Sequence, residues 1–287
     1  MRISIKKAFI FVLAPFLFAS CSATPQPKSP TLPLESVPAP APYPLPKQDD
    51  FNELVPAPVK GELWPLDDVD VSQVNKKKNH IAFTFDDAPG KTLERIVSVF
   101  LNYNQENPNC PAFASVFCNG SYAGENSITA LRAAFTAGFE MASHTYSHKD
   151  LTKISDEELL WEIEENDRFL KRIDGKDYHL LRAPYGKLDE RVKAFAKTPI
   201  IDWFIDTLDW TEPGEDAVYE QVFSQKSDGA IVLMHDGNES TVNALKRLLP
   251  DLKAAGFQVL SVSQMAKIHD CPLRVGGVYT RARKKTG

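Results

Sequence analysis

The stretch "IAFTFDDAP" (81–89) joins an apolar, β-branched and aromatic run to two adjacent aspartates, Asp86 and Asp87. Its first half has the composition of a buried strand. Burying one carboxylate is costly, and two side by side raise each other's pKa. The pair must therefore leave the core where a cation or hydrogen-bond donors meet it.

Six more strand-like runs follow or flank helix-like segments. Strands are expected at 80–88, 112–120, 139–145, 179–186, 200–207, 229–236 and 257–263. The clearest helix is "SDEELLWEIEENDRFLKRI" (155–173), where Ser155 and Glu158 form the pattern of a capping box. "ENSITALRAAFTAGF" and "STVNALKRLLPDLKAAGF" are the next clearest, each closed by a glycine. Strands alternating with helices imply parallel pairing. Near-continuous apolar strands imply a sheet covered on both faces, an α/β fold of the distorted (β/α)7-barrel type. An open doubly wound sheet is the alternative.

Asp86, Asp87, His144, Arg182, Asp206, Asp209, His235 and Asp236 all fall at or just past the carboxyl ends of these strands. In β/α folds the active site is built on that face. "SHTYSH" sets His144 and His148 four residues apart, so that on a helix or tight loop both imidazoles face one point. With Asp87 they make a two-nitrogen, one-oxygen set suited to Zn²⁺ with open positions. A cation there would offset the repulsion within the aspartate pair. Two surface histidines are the plain alternative.

"TFDDAP", "SHTYSH", "RAPYG", "DTLDW" and "IVLMHD" occur in this order, and together they resemble the five motifs of the polysaccharide deacetylase family, the NodB-homology group of carbohydrate esterases. The resemblance covers about residues 78 to 268. It departs at Ala88, where the family usually has glycine, and alanine tolerates positive φ poorly. The resemblance implies a metal site of Asp87, His144 and His148, usually holding zinc, with Co²⁺ as the other candidate. It implies Asp86 as catalytic base and His235 as catalytic acid. Arg182 would orient the base, and Asp209 would tune the acid. Trp210 and Leu233 would wall the acetyl methyl, and the Tyr185 backbone N–H would be the oxyanion donor. The chemistry is coherent: a metal polarises an amide carbonyl and acidifies water, a carboxylate takes the proton, and a cationic histidine protonates the leaving amine.

The remaining sequence bears on location. "MRISIKK" carries three positive charges, and a run of about 12 apolar residues follows it, too short to span a bilayer. Residues 1–21 thus read as a secretory signal peptide ending at a lipobox-like Cys21. Cleavage near Ala23 without lipidation is the alternative. Eleven of the 21 prolines lie between Pro25 and Pro58, so 22–60 read as a proline-rich, polyproline II linker. The catalytic domain is expected over 61–271, and 272–287 as a basic, solvated tail. The chain is expected to be exported to the periplasm or cell surface, held at the membrane by a lipid anchor, and monomeric. A net charge of -5 offers no general basic field for nucleic acid.

Cys110 and Cys118 flank a strand, and eight extended residues span roughly 26 Å, too far for a disulfide. Cys110, before a strand, and Cys271, after the last helix, are both expected at the lower face of the barrel, so a Cys110–Cys271 bridge and a free Cys118 are predicted. Trp64, Trp161 and Trp203 read as packing residues. The leading functional expectation is N-deacetylation of N-acetylglucosamine in peptidoglycan. A chitin-oligosaccharide deacetylase or an O-acetyl xylan esterase is the alternative. A non-catalytic glycan-binding lipoprotein would lack Asp86 or His235, and both are present.

Overall fold

Strand β1 (Asn79–Ala88) is central, and its residues are buried on both faces. In the computed structural model, which describes residues 58–283, it pairs in parallel with three neighbours. These are β2 (Ser115–Cys118), β6 (Ala230–His235) and, along its first half, β7 (Phe257–Leu260). β3 (Glu140–Ser143) lies beyond β2 and β5 (Ile205–Asp206) beyond β6, giving the order β3-β2-β1-β6-β5. Signal peptide, Cys21 and nearly all of the proline-rich linker lie outside the described residues.

Helices make the connections. They are α1 (Leu93–Glu106), α2 (Glu125–Thr136), α3 (Asp156–Asp174), α4 (Glu190–Phe195), α5 (Glu215–Gln225), α6 (Glu239–Ala254) and α7 (Val262–Ile268). α5 packs on α6, α6 on α1, α1 on α2 and α2 on α3. Alternation along β1 sorts its residues into two layers. Ile81, Phe83 and Phe85 face Ile96, Phe100, Leu245 and Leu248 of the helices. Ala82 faces the other way, into a cluster with Phe117, Ala142, Ile201, Ile231 and Leu260. Each such large apolar side chain contributes about 1.5–3 kcal/mol by leaving water. Thr84 and Asp86 continue the second, interior column, which is why an aspartate ends it.

The parallel sheet covered by helices matches the α/β expectation, but the ladders do not close into a barrel among the described residues. The gap beyond β3 is carried by single parallel bridges, Ser143 to Leu181 and Leu181 to Ile200. From there it continues through β4 (Ile200–Ile201) paired with β8 (Val278–Tyr279). Two expected strands are corrected here. Residues 179–186 contribute only the Leu181 bridges, because Pro184–Gly186 forms a 3-10 turn with Tyr185 at φ 61°. Residues 200–207 split into β4 and β5, because the Arg182 guanidinium takes the Ile201 and Asp202 carbonyls.

Helix α3 starts as expected, with the Ser155 hydroxyl accepting from the Glu158 N–H at 3.2 Å. The Glu158 carboxylate goes to Lys149 instead of back to Ser155, so only half of the capping box forms. The full box is at α7, between Ser261 and Gln264.

The stretch from 272 is not a solvated tail through Arg283. Leu273, Val275 and Ala282 are buried, and the Ala282 N–H donates to the Gly229 carbonyl. The backbone here meets the incoming chain, with Leu63 bridging Arg274 and the Gly61 N–H donating to the Val275 carbonyl, while Tyr279 pairs with Ile201 of β4. The predicted Cys110–Cys271 disulfide is also absent. Cys110, Cys118 and Cys271 are free and buried. Cys110 is held in a turn after α1, its N–H on the Asn107 carbonyl, whereas Cys271 packs with Leu273 and Ala282 in the interior cluster.

Candidate active site

Strict alternation would send Asp86 and Asp87 to opposite faces of the sheet. The register between β1 and β2 slips between Phe85 and Ala88, and Asp87 takes a left-handed φ of 62°. This bulge turns both carboxylates toward one mouth. The strain therefore falls on Asp87, whose short polar side chain tolerates it better than most. Ala88 is fully buried and is not among the positive-φ residues, so alanine in place of the family's glycine carries no left-handed strain here.

Asp86 is buried against Arg182. Arg182 Nη1 donates to Asp86 Oδ1 at 2.6 Å and to Thr84 Oγ1 at 2.8 Å. Its Nε donates to the Ile201 carbonyl at 3.0 Å. The guanidinium lies 4.1 Å from the centre of the Phe117 ring, with Trp203 farther out at 5.8 Å. Burial pushes the Asp86 carboxyl upward, yet the charge of Arg182, joined by His144 and His235 when they are protonated, outweighs it and holds the group below its ordinary range.

The histidine pair sits on a loop, not a helix, with Thr145 at φ 67° and His148 at φ 60°. His144 Nδ1 faces the Arg182 carbonyl at 2.9 Å. A carbonyl only accepts, so Nδ1 carries the proton and Nε2 is left as a lone pair. His144 Nε2 stands 3.6 Å from Asp86 Oδ2 and 3.9 Å from Asp87 Oδ1, and His148 Nε2 stands 3.5 Å from the same Asp87 oxygen. Asp87 Oδ1 is buried and has no hydrogen-bond partner. An orphaned carboxylate oxygen between two imidazoles fits a divalent cation. Asp87, His144 and His148 form one of two such groups among the described residues. Burial, then the neighbouring His144, lowers the His148 pKa.

Across the mouth, His235 Nδ1 lies 2.7 Å from Asp209 Oδ1. The other Asp209 oxygen accepts from the His235 N–H at 2.8 Å and from the Thr241 hydroxyl at 2.6 Å. Burial alone would lower the His235 pKa, but the Asp209 hydrogen bond and the Asp86 charge raise it. Asp209 fixes the ring so that Nε2 is the exchanging position. Leu233 is buried nearby on β6, while Tyr185 and Trp210 are mostly exposed, at 62% and 61%. Tyr185 packs edge-on against His148, 4.7 Å between ring centres.

The other strand-end aspartates are structural. Asp206 caps the Leu208 N–H at 2.9 Å. Asp236 accepts from the Gly90 and Thr92 N–H groups and the Thr92 hydroxyl, tying down the loop after β1. Trp64 and Trp203 are partly buried, whereas Trp161 is 45% exposed and packs edge-on against Tyr146.

Several supporting residues carry no motif in the sequence. The Asn119 amide donates to the carbonyls of His144 and Thr145. The Asn166 amide donates to the Cys118 carbonyl and to the Ser143 hydroxyl. Glu162 receives the Ser147 N–H and hydroxyl. A polar residue at a buried helical position of α3, such as Asn166, was the available signal.

Comparison with known proteins points one way. Residues 73–199 match the family model described as polysaccharide deacetylase. The chain is 28% identical over 199 residues to peptidoglycan-N-acetylmuramic acid deacetylase PdaC of Bacillus subtilis, covering 68% of this chain and 40% of that one. It is 30% identical over 204 residues to a peptidoglycan-N-acetylglucosamine deacetylase of Bacillus cereus, covering 68% of this chain and 92% of the relative. At similar identity the chain also matches a chitooligosaccharide deacetylase of Sinorhizobium fredii (29%) and a bifunctional xylanase/deacetylase of Pseudobutyrivibrio xylanivorans (28%). A solved structure described as a T48 deacetylase with substrate superimposes with a TM-score of 0.66 at 26% identity, covering 72% of this chain and 99% of that one. The chain spans about two fifths of the length of the first relatives it matches, 40% and 41%.

Proposed function

Because the chain belongs to the polysaccharide deacetylase family, we propose that it is a metal-dependent hydrolase that removes N-acetyl groups from N-acetylglucosamine in a cell-wall glycan, peptidoglycan first among them. The observation that carries this reading is the orphaned Asp87 Oδ1 between His144 and His148, set beside a buried Asp86–Arg182 pair and facing His235. Asp87, His144 and His148 would hold the ion, Zn²⁺ or Co²⁺. When bound, it would supply a polarised amide carbonyl and a more acidic water.

The chain's own residues account for the proton movements. Asp86 Oδ1 is committed to Arg182, so Oδ2 is the oxygen that accepts the water proton. Its depressed pKa keeps it ionised at neutral pH. The acyl oxygen that becomes anionic is met by the Tyr185 N–H, and the acetyl methyl packs on Leu233 and Trp210. His235, whose cationic form Asp209 favours, delivers its Nε2 proton to the leaving amine. Adjacent aspartates are useful because one ligates while the other takes the proton.

Activity on chitin oligosaccharides or acetylated xylan is the second reading, supported by the names of two other relatives. Cys21 lipidation and the proline-rich tether would place the domain outside the cytoplasm, within reach of a wall. Acetate release measured side by side on peptidoglycan fragments, chitin oligosaccharides and acetylxylan tests the substrate. Turnover confined to acetylxylan would overturn the N-deacetylase reading.

A further inference from the structure

The interior column of β1 ends at Asp86 but begins at His80, and a second ligand-bearing cluster gathers there. His80 is 1% exposed. Its Nδ1 stands 3.1 Å from His269 Nε2, just past α7, and His269 Nε2 stands 3.5 Å from Asp228 Oδ1, just before β6. All three ligand atoms lie within 4.8 Å of one another. Six residues of strand separate His80 from Asp86, roughly 20 Å, so this cluster is at the opposite end of the sheet from the candidate active site.

We propose that His80 Nδ1, His269 Nε2 and Asp228 form a second divalent-cation site, best suited to Zn²⁺, that ties together the start of β1, the approach to β6 and the end of α7. Two features beyond proximity support it. His80 Nε2 faces the Asn75 carbonyl at 3.2 Å, which accepts only, so Nε2 carries the proton and Nδ1 presents a lone pair to its neighbours. This is the arrangement seen at His144, where a backbone carbonyl fixes the other nitrogen. The spacing also fits. Ligands about 2.0–2.1 Å from one tetrahedral ion stand about 3.4 Å apart; two of the three separations here are 3.1 and 3.5 Å, and the third is within 4.8 Å. Asp228 is oriented by accepting the His80 backbone N–H at 2.8 Å, and Arg281 donates to the Asp228 carbonyl instead of its carboxylate. Three protein ligands leave a fourth position for water. The side chains of His269 and Asp228 are 18% and 36% exposed, so an ion could reach them.

Such an ion would join segments far apart in sequence without touching the chemistry. Its binding free energy would appear as stability of the fold. The competing arrangement is a simple hydrogen bond from His269 Nε2–H to His80 Nδ1, with no ion. The test is zinc content by mass spectrometry on the full chain, stripped with chelator, re-equilibrated with zinc chloride and freed of excess. Wild type should hold about two zinc ions per chain, with about one in His269→Gln and about one in His144→Ala. His269→Gln should keep acetate release. Zinc should raise the melting temperature of His144→Ala by about 2 °C or more, and should fail to do so in the His144→Ala, His269→Gln double variant. Asp228→Asn should weaken zinc retention in the same way as His269→Gln. One zinc in wild type, lost in His144→Ala and kept in His269→Gln, would overturn the second site. One zinc lost only in His269→Gln would support this site and count against the catalytic one.

Discussion

The Arg182 guanidinium lies 2.6 Å from Asp86 Oδ1, and both side chains are almost wholly buried, at 1% and 4% exposure. Removing one partner of such a pair strands the other charge, which costs about 3–5 kcal/mol. Arg182→Met should therefore lower stability by about that much at neutral pH. The sign with pH follows from the depressed carboxyl pKa. In the native protein the pair's stabilisation is present above the unfolded carboxylate pKa and is lost as pH falls through the lower folded value. In Arg182→Met burial is no longer offset by that charge, the folded carboxyl value rises, and the acid-side loss should shrink or reverse. The acidic limb of kcat/KM should move up as well, measured by acetate release across pH.

Asp209→Asn should act at the other limb. Asp209 is what outweighs burial and raises the His235 pKa. Its loss should lower that pKa, so activity that needs protonated His235 should fall off at lower pH than in wild type. A drop of about 10²–10⁴ in kcat is expected. An unchanged alkaline limb would show that His235 is not the acid.

Division of labour within the aspartate pair is open to direct comparison. Asp86→Asn should retain the metal and lose nearly all turnover, because Asp86 Oδ1 is occupied by Arg182. His144→Ala should lose the ion of this site together with turnover. Equal metal loss in both would contradict the division of labour, in which Asp87 ligates and Asp86 does not.

His179 offers a prediction away from the mouth. It is buried between Asp167 at 2.8 Å and Asp174 at 3.1 Å. Burial alone would lower its pKa, but the two carboxylates raise it to about 9. Its contribution is therefore complete below the unfolded histidine value, about 6.5, and is lost as pH rises through about 9. His179→Phe should flatten stability over that window, read from urea midpoints at successive pH values.

The free thiols give a simple check. Under denaturing, non-reducing conditions Cys110, Cys118 and Cys271 should all react with a thiol reagent, and reductant should leave the melting temperature unchanged. Protection of two of the three would restore the disulfide.

Much of this was legible in the sequence because the chemistry sits at strand ends. Apolar runs located β1, β2, β3, β6 and β7, and the polar residues that follow them converge as expected. The sequence was less informative where side chains replace ladder partners. Arg182 occupies carbonyls that a strand would have used, so 200–207 split in two. The bulge that turns Asp86 and Asp87 to one side leaves no compositional trace, since the positive φ falls on an aspartate and not on a glycine. The segment after Cys271 looked like a basic tail because its few apolar residues, Leu273, Val275 and Ala282, are scattered. Each nevertheless finds a buried place against the start of the domain or the loop before β6.

The central claim is that Asp87, His144 and His148 hold an ion on which deacetylation depends. The most direct measurement is acetate release from peptidoglycan fragments, with metal content followed in the same samples, before chelation, after chelation and after zinc is returned. Activity should vanish with the ion and return with it in wild type, but not in His144→Ala. Full acetate release from protein shown to be metal-free would contradict it.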